Sequence, residues 1–237
     1  MKILILGHNG LLGNMVYKYF KDKYETIITN LKWETDEFKD FIIKSDADYI
    51  INCIGKIPQK KPIESDYNKV NFELPKWLDN LGIKIIHPDT DENGNDPYSI
   101  SKIKFREYNR INTKVIRTSI IGPELKGNYS FMNWFLNSEN EVNGYINQYW
   151  NGNTTLEWSK WAEKIILDWD NFKDFITISN TDCLSKYEIL KIIKKVFNKD
   201  IKINSHISDV TKNNCLEPDF YTKKLENQLI DLKNFIK

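Results

Sequence analysis

The start of the chain carries its strongest constraint. An apolar run, Ile3-Leu4-Ile5-Leu6, passes directly into Gly7-His8-Asn9-Gly10-Leu11-Leu12-Gly13 and then into an amphipathic stretch over Leu11–Lys21. Glycines between a strand and a helix serve the backbone. They permit a tight turn, let a bound phosphate approach the main chain, and allow the helix to pack close to the sheet. The first turn of that helix also offers free N–H groups to an anion such as a pyrophosphate. The spacing departs by one residue from the G-x-G-x-x-G form, so the position between strand and helix carries the reading.

The pattern then repeats. Apolar runs at Ile3–Leu6, Thr26–Thr29, Tyr49–Cys53, Ile83–His87 and Lys114–Thr118 alternate with helical stretches at Leu11–Lys21, Glu34–Lys44, Tyr67–Asn80 and Ser99–Arg110. Strand, helix and strand in succession build an α/β protein with a doubly wound parallel sheet. Residues 1–120 therefore read as a Rossmann-type dinucleotide-binding domain. After Ile120-Ile121-Gly122-Pro123 the periodicity loosens into aromatic-rich chain, and residues 121–237 read mainly as a small C-terminal substrate-binding lobe whose elements can interleave with the first domain. Thr154 with Glu157, and Ser185 with Glu188, are capping-box signatures that open two further helices. Trp158, Trp161, Ile165 and Trp169 recur along one face of the first of them and read as core packing.

Composition narrows the choice of partners. With 41% hydrophobic and 28% charged residues the chain suits a folded globular protein. Lys plus Arg (34) nearly balances Asp plus Glu (33), so no global field draws it to nucleic acid or an anionic membrane. No apolar stretch reaches the ~18 residues of a membrane span. Cys53, Cys183 and Cys215 are odd in number and far apart, which predicts no disulfide framework and a cytoplasmic setting. His8, His87 and His206 are scattered without acidic partners at ligand spacing, so no metal site is expected.

The second strand ends at Thr29-Asn30-Leu31-Lys32, without the carboxylate that holds a ribose 2′-hydroxyl and with a cation nearby. Asn30 and Lys32 therefore favour NADPH, with NADH as the alternative. Reduction of a ketone also needs a proton donor. A tyrosine hydroxyl serves when a nearby cation stabilises its phenolate, and a lysine four residues on shares its helix face. Tyr98 and Lys102 have this spacing, but so do Tyr17/Lys21, Tyr19/Lys23 and Tyr187/Lys191. Context selects the first pair. Tyr98 opens the helix that follows the fourth strand, whose end runs into His87-Pro88-Asp89-Thr90-Asp91, and ligands of open α/β sheets bind at strand C-terminal ends. The Thr90 hydroxyl there completes a Thr–Tyr–Lys set.

Taken together, Lys2–Gly13, Ile51–Gly55, Val70-Asn71 with Leu74-Pro75, Ile85–Asp91, Tyr98–Lys102 and Ile116–Glu124 resemble the extended short-chain dehydrogenase/reductases. The resemblance is greatest to the dTDP-4-dehydrorhamnose reductase-like group. Gly144-Tyr145 and Trp150–Glu157 are similar to the substrate-lobe segment of such sugar reductases. The resemblance implies NAD(P)H-dependent reduction of a dTDP- or UDP-linked 4-keto-6-deoxy or aminodeoxy sugar for surface polysaccharide, by an enzyme for which a homodimer is one arrangement. Carried over residue by residue, Tyr98 donates the proton, Lys102 lowers its pKa and holds the nicotinamide ribose, and Thr90 polarises the ketone. Gly7, Asn9, Gly10, Leu11, Leu12, Gly13, Asn52, Cys53, Ile54, Ser119 and Ile120 border the cofactor, and Tyr145 and Trp150 join Thr90 and Tyr98 at the substrate. The connection from Asp91 to Tyr98 is short for this group and implies a more open substrate enclosure. A non-catalytic binding subunit and a nucleotide-sugar epimerase or dehydratase are the alternative readings.

Overall fold

A computed structural model describes all residues, 1–237. Its first half alternates β1 (Lys2–Leu6), α1 (Leu11–Phe20), β2 (Glu25–Ile28), α2 (Asp36–Lys44), β3 (Tyr49–Asn52), α3 (Glu64–Asn68), α4 (Leu74–Asp79), β4 (Lys84–Asp89), α5 (Pro97–Glu107) and β5 (Thr113–Arg117). The second half contains β6 (Ile120–Ile121), α6 (Phe131–Asn137), β7 (Glu141–Tyr145), β8 (Gln148–Trp150), β9 (Asn153–Thr154), α7 (Thr155–Leu167), β10 (Phe175–Asn180), β11 (Leu184–Ser185), α8 (Lys186–Phe197), β12 (Lys202–His206), β13 (Lys212–Asn214), β14 (Phe220–Thr222) and α9 (Leu225–Phe235).

The central sheet has seven strands in the order β14-β10-β5-β4-β3-β1-β2, and every neighbouring pair is parallel. It is the α/β Rossmann-type sheet that the alternating runs predict. A parallel sheet is covered on both faces, which explains why β1 is a continuous apolar run. Ile3 and Ile5 pack with Val16, Phe20, Trp158 and Ile165, while Leu4 and Leu6 pack with Phe38, Ile42, Leu74 and Leu78. The tryptophans of α7 are thus core residues, as their spacing predicts. Helices α3 and α4 are not one regular helix over Tyr67–Asn80, because a π-turn at Lys69–Glu73 lies between them.

A second core fills the lobe, where Met132, Phe135, Trp150 and Leu156 meet Ile189, Ile193 and Leu229. Two strands from the second half, β10 and β14, extend the central sheet beyond β5. Buried polar groups join them to the lobe. Asn153 donates to Thr118 Oγ1 (2.9 Å) and to the Ile178 carbonyl (3.2 Å), and accepts from Thr222 Oγ1 (2.6 Å) and Gln228 Nε2 (2.9 Å).

Both capping signatures mark helix starts. Thr154 accepts from Glu157 N (3.2 Å), and Ser185 forms a complete capping box with Glu188. Ser185→Ala removes a helix-terminal acceptor and lowers unfolding stability by about 1 kcal/mol. Urea denaturation measures this, and an unchanged midpoint would show that the cap contributes nothing.

The cysteine expectation needs correction, because Cys183 and Cys215 form a disulfide. They are 32 residues apart in sequence, but β11 and β13 flank β8 in a small sheet that brings their Cα atoms to 5.8 Å. Sequence spacing alone does not reveal such a pairing. Cys53 remains free. No helix is long and apolar enough to cross a membrane.

Candidate active site

Strand order reverses at β1, which lies between β2 and β3, and the crevice beyond the strand ends there is where open α/β sheets bind ligands. The glycine loop sits at this point. Gly7 has φ +78°, and a Cβ on it would lie 2.9 Å from the Cys53 carbonyl carbon. A Cβ on Gly13 would lie 2.1 Å from the Gly7 oxygen, so helix α1 can enter this close only with glycine there. Gly10 N donates to Gly7 O at 2.8 Å, and no side chain caps α1. The helix therefore presents open N–H groups at the crevice, with Leu11 half-buried and Leu12 buried behind them. Asn9 Nδ2 donates to Asn30 Oδ1 at 2.9 Å, which ties the glycine loop to the end of β2. Lys32 is exposed beyond it.

At the end of β3, Asn52 is fully buried. Its Oδ1 accepts from Ile54 N (3.1 Å), which orients the carboxamide so that Nδ2 faces His87 Nδ1 at 3.2 Å. His87 then carries its proton on Nε2, which has no partner. Burial, followed by the charges of Lys102 and Arg110, holds His87 well below the ordinary imidazole range, so it is neutral. Burial likewise pushes the Cys53 thiol up and keeps it protonated.

Strand β4 delivers Thr90, and α5 delivers Tyr98 and Lys102. Asp96 fixes the start of α5 by accepting from Tyr98 N (3.0 Å) and Ser99 N (3.1 Å), with Pro97 in the first turn. Desolvation raises the Tyr98 hydroxyl pKa, the neighbouring Thr90 hydroxyl lowers it, and the charges of Asp89, Asp91 and Glu92 raise it again. Lys102 is 8% exposed, its Nζ donates to the Pro88 carbonyl at 3.2 Å, and burial pulls its pKa down while Asp89 pushes it up. Thr90, Tyr98 and Lys102 thus converge at the end of β4. The Thr90 hydroxyl neighbours the tyrosine and donates to Asp91 Oδ1 at 3.2 Å, and Lys102 shares the helix face of Tyr98 without hydrogen-bonding it. The other Tyr/Lys pairs lie elsewhere, as where Lys23 sits over the Tyr19 ring at 3.6 Å.

Ser119 and Ile120 follow β5, and the Ser119 carbonyl accepts from Asn153 N at 2.9 Å. In the lobe, Tyr145 ends β7 with its ring 5.5 Å from His206 and 6.0 Å from Lys186 Nζ. Trp150, expected beside the substrate, is 8% exposed and packs in the lobe core.

The structure gives positions beside the site to residues to which the sequence assigned no role there, among them Asn71 and Arg117 from segments that carry the family resemblance. Asn71, in the π-turn, is fully buried; it bonds Lys56 N (2.9 Å), Lys56 O (3.1 Å) and Ser101 Oγ (3.1 Å), fastening α5 to the chain after β3. Arg106 holds Asp89 Oδ2 (2.7 Å), Asn93 Oδ1 (2.7 Å) and the Thr90 carbonyl (3.3 Å), and Arg117 Nε reaches the same carbonyl at 3.1 Å. These two guanidinium groups brace the short connection between β4 and α5. The π-turn and the arginines depend on long-range contacts and leave no periodic signal.

No protein-family model matches the chain, and no curated protein matches it by sequence. Solved structures do. A dTDP-4-dehydrorhamnose reductase from Clostridium acetobutylicum superposes with a TM-score of 0.81 at 21% identity, over 100% of this chain and 99% of that one. One from Bacillus anthracis, in complex with NADP, gives 0.82 at 16% identity over 99% and 98%. The ADP-L-glycero-D-manno-heptose-6-epimerase of Helicobacter pylori gives 0.79 at 13% identity over 99% and 96%. The chain therefore shares, along its whole length, the Rossmann-type fold of these reductases and of the heptose epimerase.

Proposed function

We propose that the protein is a nicotinamide-dependent reductase of a 4-keto nucleotide sugar. One observation carries this reading above the others: the glycine cradle at the end of β1, and Thr90, Tyr98 and the buried Lys102 beyond the end of β4, lie along one edge of the parallel sheet with only β3 between the two strands. The cradle fits a dinucleotide because glycines bring α1 close against the end of β1 and no side chain caps the helix, which leaves its first N–H groups free for a pyrophosphate. Gly7 to Gly13, Asn9, Asn30 and Asn52 to Ile54 would hold it, with Ser119 and Ile120 beside its reactive end. When bound, such a cofactor supplies the hydride.

The chain itself handles the proton. Tyr98 donates its hydroxyl proton to the ketone oxygen as negative charge develops there, and Thr90 Oγ1, on turning its single proton away from Asp91 Oδ1, offers a second hydrogen bond to the same oxygen. Lys102, held by Pro88 O and favoured as a cation by Asp89, would supply positive charge on the tyrosine's helix face. The nucleotide and sugar would lie toward Tyr145 in the lobe.

Mixing the protein with NADPH and an enzymatically generated dTDP- or UDP-linked 4-keto-6-deoxy sugar tests this through absorbance at the nicotinamide band. Stoichiometric loss of NADPH is expected. Binding without consumption would assign a binding subunit, and catalytic turnover of the sugar without consumption would assign an epimerase.

Preference for NADPH over NADH rests on Asn30 and the exposed Lys32 beyond β2, and on the NADP bound to the similar Bacillus anthracis reductase. Lys32→Glu places a carboxylate where a 2′-phosphate would lie and weakens NADPH about fivefold relative to NADH. Titration of both dinucleotides checks this, and an unchanged ratio removes Lys32 from the site.

A further inference from the structure

The connection after β4 is held from the lobe as well as by Arg106. Lys212 Nζ, on β13, meets both Glu92 carboxylate oxygens at 2.9 and 3.1 Å. Asn214 Nδ2, at the end of the same strand, donates to Asp91 Oδ2 at 3.0 Å and to Glu92 Oε1 at 3.4 Å. The other Asp91 oxygen accepts from Thr90 Oγ1 at 3.2 Å, and Glu92 N donates to Thr90 Oγ1 at 3.2 Å. Hydrogen bonds therefore run from β13 through Asp91 and Glu92 to the Thr90 hydroxyl, which neighbours the candidate proton donor Tyr98. They also draw toward the lobe two carboxylates whose charge raises the tyrosine pKa.

Strand β13 is only three residues long and pairs with β8 alone. So short a strand has little stability of its own. The residue after Asn214 is Cys215, whose disulfide partner Cys183 immediately precedes β11 on the other side of β8. The bond thus clamps both edges of this small sheet beside the contact to Asp91. Cys183 is exposed and Cys215 half-buried, so a soluble dithiol can reach the bond.

We propose that Asn214 is a positioning residue for the Thr90–Tyr98 pair, and that the Cys183–Cys215 disulfide holds it there, so that reduction of this bond slows turnover. The turnover half of this rests on the reductase reading above. In the reduction, one thiolate of an external dithiol attacks a cystine sulfur and forms a mixed disulfide. The second thiol of the reductant displaces the remaining cysteine. The reductant leaves as a disulfide, and its two electrons and two protons end on Cys183 and Cys215 as thiols.

The test compares oxidised protein, dithiothreitol-reduced protein, Asn214→Ala, Asn214→Gln and the double variant Cys183→Ser/Cys215→Ser. Hydrogen exchange at the Glu92 amide is read by mass spectrometry without substrate, beside kcat, KM and dinucleotide Kd. Loss of the clasp is expected to speed exchange at Glu92 about tenfold in the reduced and Asn214→Ala proteins. It is expected to lower kcat about tenfold while leaving KM and dinucleotide Kd unchanged. Asn214→Gln, which keeps the carboxamide, recovers part of the kcat. The double serine variant matches the reduced protein and ignores dithiothreitol. If that variant fails to fold, the reduced and Asn214→Ala arms still decide.

Exchange and kcat equal to those of the oxidised protein in both of those arms would overturn the proposal. Absence of NADPH consumption by the oxidised protein would instead count against the reductase reading. The exchange measurement needs no substrate, so the two failures are distinguishable.

Discussion

Replacing Tyr98 by Phe lowers ketone-dependent oxidation of NADPH by about 10³-fold and leaves dinucleotide affinity within about twofold, the expected outcome when a general acid is removed from an intact site. The ring of Tyr98 packs edge-on against Tyr67 at 6.0 Å, and phenylalanine keeps that contact. Asp96 caps α5 through backbone N–H groups, which the substitution does not touch. Only the hydroxyl is lost. Steady-state rates and a fluorescence titration with NADPH measure the two halves. A variant that retains turnover would remove Tyr98 from the chemistry, and one that loses dinucleotide binding would make its role structural.

Gly13→Ala acts on the other half of the site. The added Cβ would lie 2.1 Å from the Gly7 carbonyl oxygen and 2.6 Å from its carbon, and both belong to backbone that cannot rotate away. Helix α1 must therefore move off the end of β1, at a cost of about 3 kcal/mol in stability. That movement also withdraws the helix N-terminus from the crevice, and dinucleotide binding is expected to fall by at least about 100-fold, or ~3 kcal/mol. Gly10→Ala is the control. A Cβ there would lie 3.3 Å from the same oxygen, a tight contact that a small shift relieves. Thermal unfolding with and without NADPH separates the variants. If Gly13→Ala binds as tightly as the parent, the cradle does not hold the cofactor.

The two halves of the molecule differ in how much of them the residue pattern reveals, and the reason is physical. Strands β1, β3 and β4 are legible because they lie inside the sheet and carry runs of buried apolar residues, while the edge strand β2 and the more polar β5 are legible by their place between helices of regular period. Strand β10 belongs to the same sheet but carries buried Thr177, Ser179 and Asn180, and Asn180 is satisfied by a partner distant in sequence, its Nδ2 donating to Gly152 O at 2.7 Å. Such satisfaction is invisible in a linear sequence, and β14 is too short to give any period.

The candidate site divides in the same way. Gly7, Gly13, Tyr98 and Lys102 are legible because the chemistry asks for particular residue types at strand ends. Arg106, Arg117, Asn71 and Asn214 act through contacts to backbone or to distant side chains, and only the fold brings them there. The disulfide belongs with them, since the pairing of β11 and β13 with β8 decides it.

The most direct test of the central claim follows the transferred hydrogen. The protein is supplied with NADPH deuterated at the hydride-donating carbon and with a 4-keto-6-deoxy nucleotide sugar, and the product is analysed by mass spectrometry and NMR. The account predicts one deuterium on the former ketone carbon, of a single configuration, with one equivalent of NADPH consumed and the signal absent with Tyr98→Phe. Unaltered sugar, or sugar altered without deuterium at that carbon, would contradict it.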